Sequence, residues 1–399
     1  MENMMLMKSI TKYALFCGCI LALSACSHKQ LDPPAPEIEV DKTAPISFST
    51  GILGTKGLIE KGANQDDALD DTDTRIKVYD YMKVGNPEAE VLYIENTIAW
   101  NSADRTGAWK YMDPVNATYY WTKTGTHKFF GYLTTAPDGL SFPEGKTEWI
   151  EKDETLNPKV YKTLTVGPLT LTSADADQFD FLYSDIQSYT MPARPSTDNG
   201  YVALNFSHLF TALAVKVSNQ TGEQISDLSV KFLNFQNGRS ATIDYSGAAV
   251  DTTMTYGSKG LYDFGGSYTD PKNESFVSLY SPDEYRLLWQ QDDLTDASIQ
   301  LSYKVIETTY AEEDTAHEHP ITTVLAENTA TVSLKDLFKV SVTDPETQET
   351  TQIPMMQAGH KYLLNITIKL TELRFAVEVD PLKNVNAQSN PNESFYIES

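Results

Sequence analysis

The chain has 399 residues, with 31 Lys and Arg against 55 Asp and Glu and a formal charge of −24. Binding to nucleic-acid phosphates needs clustered Lys and Arg, so this balance excludes a nucleic-acid partner and suits an acidic, self-repelling surface. Its three cysteines, Cys17, Cys19 and Cys26, all lie within the first 26 residues. Disulfide staples, thiol catalysis and cysteine-based zinc sites are thereby excluded from the rest of the chain, whose stability must come from packed apolar surface.

The N-terminal segment carries Lys8 and Lys12, an apolar run from Tyr13 to Ala25, and the small residues Ser24 and Ala25 just before Cys26. Charge, apolar run and small residues in that order are the layout of a secretory signal. The run is well short of the roughly 20 residues that cross a bilayer as a helix. Leu23-Ser24-Ala25-Cys26 also resembles the lipobox of bacterial lipoproteins, in which the thiol is acylated and the bond before it is cut. A signal peptide over 1–25 and a lipid such as palmitate on Cys26 are expected, two or three acyl chains giving firm membrane attachment. An ordinary signal peptide with an incidental cysteine is the competing reading. Removing residues 1–25 leaves 399 − 25 = 374 residues, enough for two domains with proper cores.

Residues 26–44 contain Pro33, Pro34 and Pro36 and show no apolar periodicity. They read as a semi-rigid extended tether in which a buried strand is not expected. From Ile46 onward the period is two, in short segments rich in β-branched and aromatic residues. Expected strands are 46–50, 75–84, 91–100, 127–135, 201–210, 212–219, 228–235, 299–307 and 375–380. The clearest is "KYLLNITIKL", with Tyr362, Leu364, Ile366, Ile368 and Leu370 on one face. Turn residues punctuate the segments, and none shows a long apolar helix face, so an all-β fold of sandwiches is expected. The polar stretch "MPARPSTDNG" (191–200) marks a boundary, giving one domain over 45–195, a second over 196–383 and a C-terminal tail over 384–399.

Sequence patterns for chemistry are absent: there is no phosphate-binding glycine loop and no nucleophile elbow. His317 and His319 in "HEH" would share one face of a strand and suit a metal, but their polar setting before Pro320 favours a solvated turn. "DDALDDTDTR" (66–75) lacks the glycine and glutamate of a calcium loop and reads as an exposed loop. The aromatic run 118–132 reads as core and cross-strand pairs, with a sugar-stacking platform as the alternative. Neither an enzyme nor a cofactor is expected.

Taken together, "ISFSTGILGTKG" (46–57), "TRIKVYDYM" (74–82), "DFLYSD" (180–185), "VALNFSHLFTALAVKV" (202–217) and "QAGHKYLLNITIKLTELRFAVEVDPL" (357–382) resemble the fimbrillin family, the lipoprotein pilins of type V pili in Gram-negative anaerobes. The resemblance implies two tandem transthyretin-like β-sandwiches and export as a lipoprotein to the outer membrane. It also implies assembly with other pilin subunits into a surface fimbria that serves adhesion. In such pilins a trypsin-like protease cuts after Lys or Arg beyond the first strand, which leaves, and a strand of the next subunit fills the groove. On this sequence the first strand is 45–50, and the cut falls after Lys56, with Lys61 second and Arg75 third. The donor strand is sought near the C-terminus, in one alternating set comprising Leu373, Phe375, Val377 and Val379, or in a second comprising Phe395 and Ile397. A strand 373–379 that simply completes the second domain is the competing reading. Such strand addition turns an open sheet edge, otherwise an aggregation hazard, into head-to-tail polymerisation. Two other functions share the same features: a surface carbohydrate-binding lipoprotein, and an unprocessed anchor or tip subunit.

Overall fold

The computed structural model describes residues 38–52, 73–84, 89–100, 109–115, 117–135, 141–153, 160–174, 179–195, 201–270, 275–280, 285–311, 316–318, 320–343, 348–370, 372–381 and 395–398. Among them there is no α-helix and a single 3-10 turn, Leu334–Asp336. No helix among the described residues is long and apolar enough to cross a membrane. Alternating apolar residues build strands throughout, as the period of two requires.

The largest sheet runs β2 (Phe48–Ile52), β12 (Val202–His208), β10 (Leu182–Ser184), β7 (Thr126–Thr135), β3 (Arg75–Val84), β4 (Ala89–Trp100) and β5 (Trp109–Tyr111), with β11 (Gln187–Thr190) also on β7. Facing it is the sheet β16 (Asp251–Tyr256), β15 (Gly238–Asp244), β9 (Val160–Thr170) and β8 (Thr147–Asp153). Phe129, Phe130, Leu204 and Phe206 of the first sheet join Leu164, Val166, Ala241 and Ile243 of the second in one buried cluster. Aromatic stacking spans the layers, with Phe130 and Tyr245 at 4.2 Å and Tyr79 and Trp149 at 4.6 Å. Gly131 is required where β7 crosses β3, because a Cβ there would lie 2.6 Å from the Lys77 carbonyl oxygen.

A second sandwich pairs two further sheets. One runs β18 (Val277–Ser278), β13 (Thr211–Asn219), β24 (His360–Ile368), β25 (Leu373–Pro381) and β26 (Phe395–Glu398), with β19 (Arg286–Leu288) also on β13. The other runs β17 (Gly260–Asp263), β14 (Gln224–Phe235), β20 (Ser298–Tyr310) and β21 (Pro320–Ser333). Leu213, Val215, Leu364 and Ile366 meet Val230, Phe232, Ile299 and Leu301 in a core of their own. Two small ribbons complete the fold, β1 (Val40–Pro45) with β6 (Tyr120–Thr122) and β22 (Lys339–Thr343) with β23 (Thr350–Pro354).

The two cores do not part the chain at one point. β12, β15 and β16 follow the boundary expected at 195/196, yet Val202, Leu204, Phe206, Ala241 and Ile243 belong to the first core. Residues 287–291 thread between the cores: Leu287 and Trp289 belong to the first and Leu288 to the second. The Trp289 indole donates to the Leu169 carbonyl (2.9 Å), and Gln291 exchanges hydrogen bonds with the Gln236 backbone (2.8 and 2.7 Å).

The last residues of the tether form β1, a strand without a buried residue. The backbone there is held by long-range partners that its polar sequence does not reveal. Lys123 N donates to Glu39 O (2.9 Å), Val40 lies opposite Thr122, and Asp41 accepts from Arg194 (2.6 Å).

Candidate functional site

The expected first strand and the expected donor strands lie at or beside two sheet edges, one near each end of the described chain. At the N-terminal edge, Ile46 and Phe48 project two residues apart into the first core, 2% and 1% exposed. The Phe48 ring meets Tyr111 and Phe129 edge-on at 5.9 and 6.0 Å, and Ile46 is fixed by its amide on the Tyr119 carbonyl (2.8 Å). Burying two such side chains contributes about 1.5–3 kcal/mol each. β2 is nevertheless the outermost strand and has one ladder only, parallel to β12, with Phe48 opposite Val202, Thr50 opposite Leu204 and Ile52 opposite Phe206. More than 140 residues separate the partners in sequence, so no hairpin ties them.

A polar latch braces this edge. Asp41 in β1 accepts from the Thr43 amide (3.0 Å) and hydroxyl (2.6 Å) and from Arg194. Those hydrogen bonds, the Thr43 hydroxyl first, hold its carboxyl down to about 2. Behind β6 lies a fully buried chain of three side chains. Asp80 Oδ2 is 2.6 Å from His127 Nδ1, and His127 Nε2 is 2.8 Å from Thr122 Oγ1. Thr122 donates its hydroxyl proton to the Thr124 carbonyl (2.7 Å), so Nε2 must be the donor toward Thr122. One proton is then shared between Nδ1 and Asp80, leaving the pair neutral overall in an apolar setting. Burial pushes the Asp80 carboxyl up, against the opposing pull of His127. Through Thr122, opposite Val40, this chain ties the N-terminal ribbon to β3 and β7. A second buried pair, Asp180 with His208 at 2.5 Å, lies at the end of β12.

These histidines were missed in the sequence, where only His317 and His319 drew notice. A signal was present: His127 stands two residues before Phe129, on its face of β7, and stacks on it at 5.6 Å. His317 is exposed and stacks on Tyr310 at 4.4 Å, while His319 lies outside the described residues. Of the aromatic run, Trp121, Phe129 and Phe130 are core residues, at most 1% exposed.

Of the expected processing positions, Lys56 and Lys61 lie outside the described residues, as does Cys26. Arg75 opens β3 and is laddered on both sides, opposite Ala99 in β4 and Thr135 in β7. Its carbonyl also accepts the Thr134 hydroxyl (3.1 Å).

At the C-terminal edge, Phe375 and Val377 are 3% and 0% exposed within the second core, and Val379 is 37% exposed. β25 pairs along its whole length with β24, from Ile368–Leu373 to His360–Pro381. β26 is the outermost strand, joined to β25 by four residue pairs that place Phe395 opposite Val377 and Ile397 opposite Phe375. Residues 384–394 lie outside the described residues.

A fimbrial protein from Bacteroides vulgatus is 14% identical, with a TM-score of 0.47, over 85% of this chain and 99% of that one. A protein ascribed to cell adhesion from Bacteroides uniformis is 13% identical, with a TM-score of 0.44, over 85% of this chain and 99% of that one. A protein ascribed to polysaccharide binding from Bacteroides thetaiotaomicron is 10% identical, with a TM-score of 0.41, over 86% of this chain and 100% of that one. No protein of curated function matches the chain. A family model described as fimbrillin-like matches residues 63–381, and the chain accordingly belongs to the fimbrillin-like family.

Proposed function

We propose that this protein is a subunit of a surface fimbria, made as a lipoprotein on Cys26, cut beyond its first strand, and polymerised by strand exchange. The family makes it a pilus or adhesion subunit of the cell surface, structural and not enzymatic. Lipidation, processing and exchange are the added steps; the first rests on the sequence Leu23-Ser24-Ala25-Cys26, and one structural observation supports the other two. The segment 46–52 seats Ile46 and Phe48 in the core, yet among the described residues its strand β2 is held by a single, non-hairpin ladder at a sheet edge. Its departure would uncover the row Val202, Leu204 and Phe206, which another strand can cover again by main-chain pairing and side-chain burial. Outer-membrane attachment through Cys26 lasts only until the cut, since the lipid stays on the departing segment.

For the cut, Lys56 and Lys61 are favoured over Arg75, because a protease needs an extended, accessible chain and Arg75 is laddered between two strands. For the donor, Phe395 and Ile397 are favoured over Phe375, Val377 and Val379. Withdrawing β25 would strip two buried side chains from the subunit's own core, whereas β26 leaves by breaking four residue pairs.

The experiment is limited trypsin digestion of the purified chain, followed by mass and size. A cut after Lys56 or Lys61, loss of everything before it, and subsequent polymers are expected. A chain cut there that stays monomeric removes strand exchange, and one that resists cutting and remains on the membrane is an anchor or tip subunit held by Cys26.

A further inference from the structure

β21, with 14 residues, lies at the end of its sheet and, among the described residues, pairs only with β20. Its first eight residues are all exposed. β20 and β21 also outrun their neighbour, because the β14 ladder ends where Gln224 meets Ile306. Beyond that point residues 307–310 and 320–323 form a bare two-stranded ribbon, and such ribbons are marginal in water without further cover. Here Tyr310, Ile321, Val324 and Leu325 are 41–52% exposed.

Open edges are normally guarded by shortness, charge, proline or bulges. Four other edges follow that rule: β5, β17 and β18 have three, four and two residues, and β8 carries Glu148, Glu151, Lys152 and Asp153. β21 is long, has its only proline at the first position, and carries one charge, Glu327, which lies 3.7 Å from Lys304. Its one bulge interrupts the register near Leu325.

We infer that β21 is an interface between two copies of this chain, paired antiparallel, edge to edge, about a two-fold axis. A second copy is the occupant that the charges select. Glu318 lies two residues before β21 and Lys335 two residues after it, both exposed and opposite in sign, so the strand is self-complementary about its middle, and its single acid is already paired with Lys304. Antiparallel pairing about the middle of β21 sets Ile321 against Val332 and Val324 against Thr329 of the other copy. Glu318 of each copy then faces Lys335 of the other, both exposed in the single chain. Because the contact is isologous, each of these pairs occurs twice. The interface is independent of strand exchange, since it uses neither β2 nor β26.

The test is sedimentation velocity of the purified, uncleaved chain across a wide range of concentration, with hydrogen exchange at the two extremes. A reversible dimer is expected, with amides of 320–333 exchanging more slowly when concentrated. V324K together with L325K should weaken dimerisation about tenfold or more, by placing like charges on the facing edges. E318K or K335E alone should weaken it too. An equimolar mixture of those two single variants should dimerise again, because both contacts of the mixed pair are then attractive. This rescue does not depend on whether V324K with L325K folds. A chain that is monomeric throughout, or a dimer indifferent to all these changes, overturns the interface. Failure of the mixture to rescue overturns the antiparallel pairing.

Discussion

Phe48 in β2 and Phe375 in β25 are almost equally enclosed, 1% and 3% exposed, yet the two strands are held in different ways. β25 is laddered to β24 over nine residue pairs through a tight turn and to β26 on its other side. β2 has five pairs on one side only, to a strand far away in sequence. Burial therefore does not mark which terminal strand can be exchanged, since both score alike on it. Connectivity does: a strand with one ladder and no hairpin can leave without pulling its neighbours apart.

The sharpest way to break this contrast is a pair of truncations. Phe375→Ala should lower global stability by about 3–5 kcal/mol, read by urea unfolding. Phe48→Ala removes similar contacts, but its effect should be confined to faster hydrogen exchange over residues 40–52, with a smaller shift in the global transition. Equal global losses would mean that β2 is as integral as β25. A weaker perturbation is deletion of residues 384–399. It should abolish polymers formed after cutting while changing stability by no more than about 1 kcal/mol, since only an edge strand is lost. Unaltered polymers would move the donor role to 373–379.

The smallest expected effect concerns pH at the N-terminal ribbon. Asp41 is held near 2, against an ordinary value of about 3.9, so its ionised form favours the folded ribbon. That stabilisation is complete above about pH 4 and fades as pH falls toward 2. Amide exchange over residues 40–45 should therefore quicken across that interval while β25 stays protected. Arg194→Ala should raise the Asp41 carboxyl toward its ordinary value, making the acid effect smaller and bringing its end to a higher pH, with the Thr43 hydrogen bonds retaining part of it.

Much of this architecture was legible because strands announce themselves locally. Tyr362, Leu364, Ile366 and Ile368 form one buried row of β24, as their spacing indicates. The same row was read one step too far, since Leu370 is 72% exposed: Lys369 N donates to Glu372 O and turns the chain there. What escaped reading was long-range. β1 looks polar and proline-flanked, and its hold depends on Arg194, some 150 residues away. Asp80 and His127 meet from different strands, and neither residue alone says that it is buried. The two cores share the chain between residues 202 and 256 because β9 takes β15 as its neighbour, a pairing that no local pattern specifies.

The threading of residues 287–291 between the cores has a mechanical consequence. Consecutive side chains there point into opposite cores, so the segment behaves as a dovetail and not as a hinge. Pulling the cores apart would require extracting the Trp289 indole, which is fully enclosed, and breaking its bond to Leu169 and the Gln236–Gln291 exchange. Separating the cores thus costs the burial of Trp289 and Leu288 together, which couples the movement of one core to the other.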